Sequence, residues 1–175
     1  MTHIGLNQTF KPPPMAHPVL TLDLVDDAAT AALGARLGAA ARVGDVIALI
    51  GDLGAGKTTL ARALIRHLTG PETEAPSPTF TLVQSYQGPA FPIWHFDLYR
   101  LKHPGEAREL GLEETVDGLA LIEWPERLGD DLTPARLEVQ LSFGGPERIG
   151  VGRIARLVDH DDWSARIDGD WRPTQ

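Results

Sequence analysis

The apolar positions of this chain fall in short runs with two different periods. "VLTLDL" (19–24) alternates apolar and polar residues, as a half-buried strand does. "DDAATAALGARLGAAARV" (26–43) follows, with Leu33 and Leu37 on one helical face and Asp26 or Asp27 near its start. "GDVIALI" (44–50) carries an unbroken apolar run that stops at a glycine, the pattern of a buried strand. From Lys57 to Thr69, Leu60, Leu64 and Leu68 recur at i, i+4 and i+8, with Arg62 and Arg66 facing elsewhere. Gly70-Pro71 ends that helix.

The second half reads differently. "PETEAPSP" (71–78) is a loop, and "TFTLVQSY" (79–86) and "PIWHFDLY" (92–99) are strands joined by a turn at Gln87-Gly88-Pro89. "HPGEARELGLEETVDG" (103–118) is polar and weakly helical, whereas "LALIEW" (119–124) is another buried strand. "RLEVQLSF" (136–143) and "RIARLVDH" (153–160) read as an antiparallel pair, and "DDWSARI" as a short tail helix. Strand–helix–strand order early and strand pairs later predict a single α/β domain over 19–170, with a mixed parallel/antiparallel sheet flanked by helices. Residues 1–18, punctuated by "KPPP" and "HP", read as a flexible proline-rich tail.

Composition then narrows the chemistry. A length of 175 residues suits one domain with a proper core. The net charge of −8 argues against a broad basic face for nucleic acid, so any action on nucleic acid is expected to run through a partner. The absence of cysteine removes disulfides, cysteine-ligated zinc and thiol nucleophiles, and suits a reducing cytosol. No apolar run has the length of a signal peptide or a membrane span. The expectation is a soluble, cytoplasmic protein with no membrane contact.

Gly51, Gly56, Lys57 and Thr58 satisfy G-x-x-x-x-G-K-[ST] between a buried strand and an amphipathic helix. Glycines let backbone N–H groups converge on phosphate oxygens, and the helix N-terminus adds unpaired donors. In such a loop Lys57 reaches the β- and γ-phosphates and Thr58 offers its hydroxyl to Mg²⁺. The metal also needs a carboxylate at the end of a neighbouring apolar strand. Glu123, after "LALI", has that pattern; Asp97, in "WHFDLYR", is the second candidate.

The neighbours carry open readings. Trp124 beside Glu123 reads as packing or as a group near the base, and His95 as a packed strand histidine. Arg100 is either phosphate-facing or a surface ion-pair partner. "SPTFT" (77–81) is either a plain turn or a switch with Thr79 placed to feel the γ-phosphate. A small-molecule or nucleotide kinase would use the same loop, but would add an acceptor pocket and an arginine-bearing lid, and no basic lid segment is evident.

"GDLGAGKTTLAR", "SPTFTLVQSY", "HFDLYRL", "ELGLEE" and "LIEWPERL" occur in the order and spacing of the bacterial TsaE (YjeE) family, which the chain resembles from about Val19 to Ile167. The resemblance implies a small P-loop ATPase in threonylcarbamoyladenosine synthesis beside the tRNA anticodon. It implies ATP or ADP with Mg²⁺ as cofactors, TsaD and TsaB as partners, tRNA met only through them, and weak ATPase activity alone. By position, Lys57 and the backbone of Asp52, Leu53, Gly54, Ala55, Gly56, Thr58 and Thr59 would hold the phosphates. Thr58 and Glu123 would ligate Mg²⁺, and Asp97 would lie near the γ-phosphate as a supporting ligand or water-orienting base. Trp124 would lie close to the nucleotide, Thr79 in the switch loop, and Thr30 near the adenine. The 1–18 extension is not part of the family pattern, and the C-terminal strands vary too much to carry roles.

Overall fold

The computed structural model describes residues 17–144, 152–167 and 171. In chain order these form β1 (His17–Leu24), α1 (Asp27–Ala40), β2 (Val46–Ile50), α2 (Lys57–Thr69), β3 (Val83–Gln87) and β4 (Pro92–Asp97). There follow α3 (Glu106–Glu109), β5 (Leu119–Glu123), β6 (Leu137–Phe143) and β7 (Arg153–Asp159), with 3-10 turns at Leu112–Asp117, Pro125–Asp131 and Trp163–Ala165. The tail read in the sequence lies outside the described residues up to position 16, and β1 already begins at His17.

The strands make one seven-stranded sheet in the order β1-β7-β6-β2-β5-β4-β3. Its centre is parallel: β2 lies between β6 and β5, and β5 pairs with β4. The flanks are antiparallel, with β7 and β1 beyond β6 and β3 beyond β4. Parallel strands end at the same edge of a sheet, and loops there form the usual binding crevice of an α/β fold. That edge receives the loops after β2, β4 and β5.

Alternation along β5 divides the core. Leu119 and Leu121 point to the face covered by α1 and α2, whereas Ala120 and Ile122 point to the face covered by Leu98, Leu101, Ala107 and Leu128. The two helices touch closely. A Cβ on Gly34 of α1 would stand 2.3 Å from the Leu60 carbonyl oxygen of α2, so glycine is what lets the helices meet. Asp26 caps α1, its carboxylate accepting the Ala29 N–H at 2.8 Å. The C-terminal segment is fastened by the buried Trp163 and by a 2.6 Å ion pair from Arg166 to Asp45.

Several local readings need adjustment. The strand expected over 79–86 begins only at Val83, because Leu82, at φ 63°, stands outside the extended region. Instead the chain turns, with the Leu82 N–H donating to the Pro78 carbonyl at 2.8 Å. The weak helix of 103–118 is cut by Gly111, at φ 79°, into α3 and a 3-10 turn. The tail helix is a single 3-10 turn.

Candidate nucleotide site

The loop from Gly51 to Gly56 joins the buried end of β2 to the first turn of α2. Its position is set by packing. Leu49, Ala55, Leu60, Ala61 and Leu64 are fully buried, and the loop starts where β2 passes β6. A Cβ on Gly51, at φ 154°, would stand 2.4 Å from the Leu141 carbonyl oxygen, so the approach of loop to sheet demands glycine.

A cavity of about 390 Å³ opens over this loop. Leu53, Gly54, Gly56, Lys57, Thr58 and Thr59 form one wall; Ser77, Thr79, Asp97, Tyr99 and Arg100 form the other, with Glu123 and Trp124 at the floor. Asp97 and Glu123 are paired neighbours at the ends of β4 and β5, which is why residues 26 apart in sequence face one cavity.

The floor is a hydrogen-bonded chain. The Thr58 hydroxyl is 3.1 Å from both oxygens of Glu123, which is buried. The other neighbour of Glu123 is His95, whose Nε2 lies 2.8 Å from Oε1 on a fully buried ring. A carboxylate only accepts, so Nε2 carries the donated hydrogen. Its Nδ1 has no hydrogen-bond partner among the described residues.

Asp97 is tied to the opposite wall. One carboxylate oxygen accepts from the Ser77 hydroxyl and the other from the Tyr99 N–H at 3.1 Å. Thr79 continues the chain, its hydroxyl 3.2 Å from that of Ser77.

Lys57 folds back on its own loop. Its ammonium donates to the Gly51 carbonyl and, at 2.8 Å, to the Asp52 carbonyl, and stands 4.0 Å from the centroid of the Trp124 ring. Burial lowers its pKa from the ordinary 10.5, against the pull of Glu123, Glu126, Asp97 and Asp52. Phosphate oxygens brought to this ammonium would oppose that desolvation. Trp124 is itself in the left-handed region at φ 59° and packs on Tyr99, ring centroids 4.8 Å apart.

Most of the residues singled out in the sequence thus meet in one cavity. Asp52 and Ala55 belong to the loop without lining the cavity, Asp52 contributing a carbonyl to Lys57 and Ala55 being fully buried. Thr30 also lies off the cavity wall; it is buried on α1, its methyl beneath Gly56. Three participants were not singled out for these roles: Ser77, Tyr99 and His95. A signal existed for His95, since it stands two residues before Asp97 and so on the same face of a strand.

The site suits an oxygen-ligated divalent cation. A hydroxyl and a carboxylate already in contact offer the hard oxygen donors that Mg²⁺ prefers. Among the described residues no group of three or more His, Cys, Asp or Glu could cage a metal alone. Mg²⁺ needs no such cage, because phosphates and water supply most of its shell. No helix among the described residues is long and apolar enough to cross a membrane.

Comparisons with known proteins agree on a family. The family model described as threonylcarbamoyl adenosine biosynthesis protein TsaE matches residues 24–149. The chain is 40% identical over 148 residues to the tRNA threonylcarbamoyladenosine biosynthesis protein TsaE of Rickettsia felis, spanning 84% of both proteins. It is 36% identical over 120 residues to the protein of that name in Bacillus subtilis, 67% of this chain and 74% of that one. The crystal structure of Bacillus subtilis YdiB superposes with a TM-score of 0.70 at 28% identity, covering 86% of this chain and 91% of that one. The fold therefore has a solved counterpart, and the chain belongs to the TsaE family.

Proposed function

We propose that this protein is a Mg²⁺-dependent ATPase of tRNA threonylcarbamoyladenosine synthesis, binding ATP between its glycine-rich loop and the Ser77–Thr79 wall. One observation carries the reading: Lys57, Thr58, Asp97 and Glu123 converge on a single cavity behind a complete P-loop. The family membership supplies the biological setting.

Each residue has a definable part. Backbone N–H groups from Gly54 to Thr59 and the first turn of α2 receive the phosphate oxygens. Lys57 leaves its carbonyl partners for the β- and γ-phosphates. Thr58 and Glu123 would hold Mg²⁺, which supplies charge neutralisation between the phosphates and the two acids. His95 keeps the Glu123 carboxylate in position. Asp97 orients the attacking water and takes its proton. The water oxygen bonds to the γ-phosphorus as the bond to the β-phosphate oxygen breaks, and the electron pair leaves with ADP.

Hydrolysis is slow in the isolated chain, because transition-state charge stabilisation is incomplete without a partner. TsaD and TsaB are the proposed partners, in the cytoplasm, and tRNA is met through them, in keeping with the net charge of −8. The test is steady-state phosphate release with and without the TsaD–TsaB pair. A clear rise with the pair, abolished in Lys57→Ala, is expected. Fast hydrolysis indifferent to the pair contradicts the partner dependence, and label moving onto a small acceptor replaces it with a kinase.

A further inference from the structure

Arg100 has no role in the mechanism above, yet it lines the cavity. It is exposed and has no carboxylate within ion-pair distance among the described residues. Its guanidinium instead lies 4.9 Å from the ring centroid of Phe80, and Phe80 is 86% exposed. Other arginines near the loop and helix are engaged. Arg62 donates to the Ala75 carbonyl, Arg66 to that of Thr73, and Arg153 to that of Gly54.

Among the described residues Arg100 is the sole arginine on the cavity wall. Outside the phosphate loop it shares the cavity lining with Thr79 and with Asp97, three residues before it, and its guanidinium rests on Phe80, the residue after Thr79. The loop and the first turn of α2 take the inner phosphates, so a group lining the cavity outside them meets the outermost one. A guanidinium resting on a solvent-exposed ring is weakly held, whereas a guanidinium on a phosphate makes charge-assisted, bidentate hydrogen bonds. The move from one to the other is therefore favourable.

We propose that Arg100 is a catalytic residue supplied in cis: it leaves Phe80 for the terminal phosphate of a bound nucleoside triphosphate and stabilises the charge that develops there. Phe80 is its resting place, and binding of the triphosphate draws the arginine off the ring. The proposal rests on the nucleotide reading of the cavity. It goes further by assigning discrimination between triphosphate and diphosphate to one side chain.

The experiment is calorimetry on the full chain with Mg²⁺, using ADP and the imido-bridged ATP analogue, in wild type, Arg100→Ala, Arg100→Lys and Phe80→Ala. All of these substitutions are at exposed positions. In Arg100→Ala, ADP affinity should stay within about twofold while affinity for the analogue falls about tenfold, the scale of one charge-assisted contact. Arg100→Lys should recover part of that loss, and Phe80→Ala should keep or raise affinity for the analogue. Turnover of ATP in Arg100→Ala should fall by about a hundredfold or more. Equal losses for both nucleotides, or none for either, would overturn the role of Arg100 while leaving the site intact. Failure of wild type to bind either nucleotide would overturn the nucleotide reading itself, and this proposal with it.

Discussion

The two walls of the cavity are built by different forces. The wall from Leu53 to Thr59 is held by the core beneath it, through Leu49, Ala55, Leu60 and Leu64, and by the close seat of Gly51 on β6. The wall from Ser77 to Thr79 is held by polar contacts: Ser77 on Asp97, Thr79 on Ser77. Its tip, Phe80, stands in water. A packed wall keeps its donors aimed without reorganisation, which is what a phosphate cradle requires. Hydrogen bonds at a surface are individually modest and can be exchanged, which is what a responsive element requires. The proposed cradle and the proposed sensor thus line one cavity.

The largest expected effect comes from pushing on the packed wall. Gly51→Ala would place a methyl 2.4 Å from backbone on β6, and backbone does not yield as a side-chain tip does. Chemical denaturation should show a loss of about 3 kcal/mol. Stability within the error of wild type would mean that the core does not hold this wall.

A smaller effect is expected from the polar wall. Ser77→Ala removes one hydrogen bond to Asp97 and should reduce stability by about 1 kcal/mol. Its functional mark should be larger: turnover should fall more than nucleotide affinity, since Asp97 loses one of its two tethers while the loop from Leu53 to Thr59 stays whole. Equal falls in both would erase the distinction between the walls.

The smallest effect is electrostatic and reports on the cradle alone. Burial lowers the Lys57 pKa from 10.5, so in the pH window below 10.5 the unfolded chain binds more protons than the folded one. Stability contributed at this position therefore rises with pH across that window, and is lost as pH falls through the folded pKa. Lys57→Met should remove that slope in thermal melts between neutral and alkaline pH. A slope equal to that of wild type would show that the ammonium is as well solvated in the fold as in the open chain.

The sequence was most readable where structure is local. The run Val46–Ile50, the glycine loop and the leucine stripe of α2 are continuous in the chain, and each appears as read. Glu123 was legible for the same reason, as an acid closing an apolar strand. What was hidden depends on pairing between distant segments. That β6 lies parallel to β2 while pairing antiparallel with β7 is not written in its own alternation. The link between His95 and Glu123 spans 28 residues and exists only because β4 and β5 are neighbours. The turn at Pro78–Leu82 was masked by apolar and threonine residues that suit a strand by propensity, whereas the chain closes there through the Leu82 N–H on the Pro78 carbonyl.

The most direct test is calorimetric titration of ATP with and without Mg²⁺ into wild type, Lys57→Ala and Glu123→Ala. If the cavity is a nucleotide site, wild type should bind one ATP per chain. Lys57→Ala should lose roughly tenfold to a hundredfold in affinity, the worth of a buried charge-assisted contact. Glu123→Ala should lose most of the gain that Mg²⁺ confers. No saturable heat in wild type, or affinity unchanged by either substitution, would contradict a phosphate cradle at Gly51–Thr59.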